Sequence, residues 1–271
     1  MRIRTGYEIV YEVPAPTPML LMLNVHPTRI ADLETPDIIR TNPPIPLTQY
    51  RDIYGNLCSR ILAPAGRFVM SADFIVRDDG LPDPVAPHLG QLPVEAVPDE
   101  AVLFLLGSRY CETDQLSNLA WSLFGSIEPG WGRVQAIVDY AHARIKFGYE
   151  HARPTKTAYE AHEEGLGVCR DYAHLAVTLC RCMNIPTRYC TGFLGDIRLP
   201  QTVGPMDFSA WFEVYLDDHR WHSFDARHNT PRIGRILMAH GRDATDTAIT
   251  TTFGPNFLAG FTVITEELPD L

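Results

Sequence analysis

Nowhere among the 271 residues do about 18 uncharged apolar residues follow one another, the length a membrane-spanning helix requires. The longest apolar runs, such as residues 18–25, suit a buried strand instead. The opening residues, MRIRTGYEIVYEV, break every apolar stretch with polar side chains, so the continuous apolar block of a signal peptide is missing. A cytoplasmic location and no membrane partner are the expectation. Positive charge is also scarce: Lys plus Arg number 23 against 33 Asp plus Glu, a formal charge of −10, with no basic cluster to offset it. Such a chain is repelled by phosphate backbones and anionic lipid, which excludes nucleic acid as a partner. Six cysteines are present, but there is no CxxC pair, no His-x-His cluster and no D-x-D-x-D-G loop. No metal or other cofactor is expected, and the cysteines read as thiols in a reducing compartment.

What is present changes character near residue 100. Before it, prolines punctuate short alternating or apolar segments, at residues 4–12, 19–26 and 60–74, with turns expected at residues 54–56 and 77–80. These features predict a β domain, a sandwich, followed by a proline-spaced linker over residues 81–100. Beyond it the period becomes helical. Asp114 is placed to cap one helix, a second starts near Gly132, and a third opens at Val168 and stops before Pro186. Strand-like runs follow at residues 187–194, 208–216 and 220–226. Helices first and strands afterwards indicate an α+β core. The expected organisation is residues 1–100 as a β domain with its linker, and residues 101–271 as the core with a C-terminal extension.

Chemistry concentrates at Gly167-Val168-Cys169-Arg170, where a polar loop meets the third helix. A thiol at a helix N-terminus faces unpaired N–H groups and the positive end of the helix dipole, and both favour the nucleophilic thiolate. The same N–H groups suit a developing oxyanion. Gly165 and Gly167 would let the backbone approach a substrate, and Arg170 with Asp171 would hold the loops. Trp211, on the strand face of Ser209, is a candidate for lining the cleft beside Gly167 and Arg170.

The run GVCRDYAHLAVTLCRCMNIPTRYCTGFLGD resembles the nucleophile segment of bacterial transglutaminase-like proteins, which have a papain-type core. DFSAWFEVYLDDHRWHSFDARHN is similar to the strand pair that follows it there, and the likeness covers roughly residues 110–240. It implies helices packed on an antiparallel sheet, a peptide or protein substrate, and a Cys-His-Asp triad. Cys169 matches the nucleophile and Asp225 the orienting acid. The histidine that usually precedes Ala-Trp is missing, and Ser209 stands in its place. Serine is a poor proton acceptor near neutral pH, and general-base help of this kind is worth roughly 10²–10⁴-fold in rate. His162, His174, His222 and His228 are the alternatives; His222 and His174 are expected to face away from the site, while His228 lies in a loop that can fold back. Two readings stay open. One is a cysteine amidohydrolase or peptidase, completed by water or by an amine. The other is a degenerate peptide-binding or scaffold module.

Overall fold

The alternation at the N-terminus builds β1 (Arg2–Val13), whose Ile3, Thr5, Tyr7 and Ile9 are buried in the computed structural model, which describes residues 1–199 and 206–269. It is followed by β2 (Thr17–Leu21), β3 (Arg40–Asn42), β4 (Thr48–Arg51), β5 (Leu57–Ala63) and β6 (Gly66–Arg77). The segment read as continuous over residues 60–74 is thus a hairpin, turning after Ala63 at a proline, with Gly66 at φ +101°. The expected turns are present, with Gly55 and Gly80 both at positive φ.

The helical region comprises α1 (Asp99–Val102), α2 (Thr113–Phe124), α3 (Trp131–Arg144), α4 (Ala158–Glu164) and α5 (Cys169–Cys182). Two short strands, β7 (Lys146–Phe147) and β8 (Leu166–Gly167), pair in parallel between them. Glu112 occupies the cap position of α2, so Asp114 lies inside the first turn rather than capping it. From Asp171 to Cys182 every residue of α5 is buried. The buried cation of that run, Arg181, donates to the carbonyls of Leu106, Thr187 and Arg242, which satisfies it without a direct ion pair.

Strands β9 (Thr187–Phe193), β10 (Ser209–Tyr215), β11 (Trp221–Phe224) and β12 (Ile236–Gly241) form the antiparallel core sheet, in the order β11-β10-β9-β12. The last strands, β13 (Thr250–Thr252) and β14 (Phe257–Leu268), leave the core. They pair with β2 and β1, giving sheets ordered β13-β2-β5-β4 and β14-β1-β6-β3. The C-terminal extension, grouped with the core in sequence, therefore completes both sheets of the β domain. Its ladder with β1 runs from Arg2↔Leu268 to Glu12↔Phe257 and covers what would otherwise be a long free edge.

One apolar cluster continues from the sandwich into the core sheet: Phe68 and Phe74 pack with Phe193, Phe208, Ile236 and Met238. Phe193 meets Phe74 edge-on at 5.9 Å. Burying such side chains contributes about 1.5–3 kcal/mol each, so the two halves stabilise one another. The linker takes part as well, since Pro82 bridges to Ile233 and the Asp83 N–H donates to the Arg232 carbonyl. Among the described residues, no helix is long and apolar enough to cross a membrane.

Candidate active site

The local sequence fixes where α5 begins. Thr157 and Glu160 cap α4 reciprocally, and Gly165 at φ +64° ends it in a left-handed turn. Leu166 and Gly167 then pair with β7 and deliver the chain to Val168. The Asp171 carboxylate accepts the Val168 N–H at 2.9 Å, closing the first turn of α5. A Cβ on Gly167 would lie 2.7 Å from that carboxylate. Gly167 is thus explained by packing beneath the cap rather than by approach of a substrate. Arg170 reaches outward, ion-pairs with Asp171 at 3.3 Å and donates to the carbonyls of Arg153 and Pro154, bracing the rim.

Cys169, half-buried, opens onto a cleft of about 450 Å³ between the core and the β domain. Val168, Arg170, Ser209 and Ala210 line it from the core, and Ile9, Tyr11, Leu258 and Phe261 from the opposite wall. Ser209 starts β10 across from Gly192 of β9, and its neighbour Ala210 offers a backbone N–H to the thiol. Burial pushes the Cys169 thiol up to about 11, against the smaller pull of Arg227 and the Ala210 N–H. Burial thus works against the thiolate that the helix N-terminus favours.

Asp225, just past β11, is buried and accepts four N–H groups. The Arg227 and His228 amides bind Oδ1, both at 3.0 Å, while His228 Nδ1 (2.8 Å) and Arg235 Nη2 (3.2 Å) meet Oδ2. Arg235 is itself held by Asp83 at 2.8 Å. These partners keep the Asp225 carboxyl well below the ordinary carboxylate range despite its burial. Its charge also acts on the Cys169 thiol.

The site thus combines a thiol at the head of a buried helix with an aspartate–histidine pair just past the core-sheet strand β11. The transglutaminase-like superfamily profile matches residues 118–226. A candidate cysteine protease from Cytophaga hutchinsonii superposes with a TM-score of 0.85 at 29% identity, over 100% of this chain and 91% of that one. Residues 118–226 form a transglutaminase-like domain. An uncharacterized protein of Mycobacterium leprae is 28% identical over 119 residues, and the match spans 42% of each chain. The periplasmic domain of TgpA from Pseudomonas aeruginosa aligns at 14% identity with a TM-score of 0.41, over 83% of this chain and 70% of that one.

In this transglutaminase-like site, no histidine among the described residues hydrogen-bonds to Cys169 Sγ. His174 is buried between Tyr110 and Tyr189 and accepts the Ala244 N–H at 3.1 Å. His162 meets Tyr140 at 3.3 Å, and His222 pairs with Asp218 at 3.0 Å. Trp211 departs from its expected place. It is fully buried, faces Arg235 with the guanidinium 5.2 Å from its ring, and lies outside the Cys169 cleft with Glu213 and Arg188. Arg227 and Asp207 were missed in the sequence. Asp207 lines the cleft, burial raises its carboxyl, and both charges act on the thiol. Nothing in their spacing distinguishes them from loop charges.

The Ser209→His variant is expected to accelerate iodoacetamide labelling of Cys169 at pH 7 by roughly tenfold, since an imidazole there stabilises thiolate. An unchanged labelling rate would show that the cleft no longer admits an imidazole at this position.

Proposed function

We propose that this transglutaminase-like protein is a cysteine peptidase or amidase. Cys169 Sγ attacks a peptide carbonyl while its proton passes to His228, which Asp225 orients through Nδ1. The tetrahedral intermediate expels the amine, which takes that proton from the imidazolium. His228 then deprotonates a water that attacks the thioester, releasing the acid and restoring the thiol. An amine in place of water would give acyl transfer. Ser209 and Ala210 border the reacting carbonyl in this reading, and a peptide or protein chain is the substrate. The observation that carries it is the 2.8 Å bond between His228 Nδ1 and Asp225 Oδ2, because it supplies an oriented imidazole that position 209 lacks. A reducing, cytoplasmic setting accords with six cysteines that are all free.

The thiol's upward shift favours a second reading, a peptide-binding module whose chemistry is silent. Turnover decides between them: unstructured peptides should be cleaved by the wild-type chain and left intact by Cys169→Ala. Binding without cleavage by either would establish the module.

The pH dependence of labelling follows from the same shift. Burial disfavours the charged thiolate, so iodoacetamide labelling of Cys169 should still be climbing at pH 9, above the roughly 8.5 of a free thiol. A plateau below pH 7, read from the labelled peptide by mass spectrometry, would contradict a neutral resting thiol.

A further inference from the structure

The strand β14 is an edge: it pairs with β1 and ends its sheet. A long free edge is a template for another extended chain, and proteins usually guard it with charge, proline or a bulge. Here the guarding is uneven. Glu266 and Glu267 sit at the far end, held by Arg4 at 3.0 Å and Arg198 at 3.4 Å. Residues 257–262, FLAGFT, carry no charge at all. Phe257 is 69% exposed, Leu258 47% and Phe261 36%. The unguarded half is also the half at the nucleophile, since Leu258 and Phe261 share the Cys169 cleft with Ile9 and Tyr11. Between Val10 and Tyr11 the register slips, leaving Ala259 without a partner on β1. Such a bulge re-aims the strand locally.

We propose that the free edge of β14 over residues 257–262 is the substrate-docking strand: an extended peptide adds beside it, its apolar side chains meeting Leu258 and Phe261 and its backbone led to Cys169. This rests on the reading of Cys169 as nucleophile and adds the substrate class, an unstructured segment rich in apolar residues rather than a side chain on a folded surface. Backbone hydrogen bonds to the edge supply affinity, and the cleft wall supplies side-chain preference. A second copy of the chain suits the edge less well. Strands of this length span about 20 Å, and two such edges alone bury far less than the roughly 1,000 Å² a stable dimer needs. A peptide gains the apolar cleft in addition.

The test uses the full chain carrying Cys169→Ala, so that binding is read without turnover, and fluorescein-labelled unstructured peptides containing Leu and Phe. Anisotropy should show saturable binding that weakens by roughly tenfold or more in Phe261→Asp and in Leu258→Asp, both exposed positions. Peptides N-methylated at alternate backbone amides should lose binding in one of the two registers, a readout that needs no change to the protein. Equal affinity for both methylated series and for both Asp variants would overturn the docking strand. So would a native mass spectrum showing a dimer that Phe261→Asp dissolves while peptide affinity stays the same. Failure of catalysis alone would show in the absence of turnover by the wild-type chain, with binding to the edge retained.

Discussion

His228→Ala is expected to slow peptide turnover by about 10²–10⁴-fold, the range a general base contributes. The argument starts from the proton. A thiol raised to about 11 is almost wholly protonated at neutral pH, so attack on a carbonyl requires a group that removes the proton as the S–C bond forms. Ser209 cannot accept it. His228 can: Asp225 binds its Nδ1 and its backbone N–H, which fixes one tautomer and leaves Nε2 as the acceptor. Removing the imidazole should leave the cleft and its affinity for peptide intact, so kcat falls while KM changes little. Combining His228→Ala with Cys169→Ala should be no worse than Cys169→Ala alone, because the two act as one unit. Undiminished turnover by His228→Ala would remove the Asp225–His228 pair from the mechanism.

Much of the fold was legible because its signals are local. The helical period after Val168 and the stop at Pro186 placed α5 within a residue at its start, and the Ala-Trp and Phe-Asp strands emerged as β10 and β11. The closure of the β domain was not legible. β14 finds β1 across almost the whole chain, and nothing in FLAGFTVITEEL names its partner. In the site, Cys169 and Asp225 stood out by family likeness, whereas His228 needed a turn to be seen. Asp225-Ala-Arg-His is a short loop in which the aspartate side chain accepts the N–H groups two and three residues on. That pattern is typical of Asp after a strand, and it could have raised His228 above its rivals. The thiol's shift lay beyond the sequence, because desolvation depends on the cleft wall supplied by β1 and β14 as much as on the helix that carries Cys169.

Asp225 should matter to stability as much as to chemistry, and Asp225→Asn separates the two. The aspartate is the buried counter-charge of Arg235, whose remaining acid is Asp83. Substitution keeps the shape but removes the charge, leaving a fully buried guanidinium half-compensated; breaking a buried pair in this way costs about 3–5 kcal/mol. With Asp83 still in place the lower end is expected, about 3 kcal/mol, seen as a lower urea midpoint at unchanged slope. Acid reveals the same linkage. A carboxyl held below its ordinary value in the folded protein adds stability that is complete above the unfolded value of about 3.9 and is lost as pH falls below it. The wild-type chain should therefore lose stability steeply below pH 4, and the Asn variant, already deprived of that contribution, should show a shallower slope. Identical slopes for the two proteins would mean that Asp225 does not carry the charge its four donors imply. If the slopes differ but turnover survives in the variant, the carboxylate braces the core and His228 takes its orientation from the backbone of its own turn.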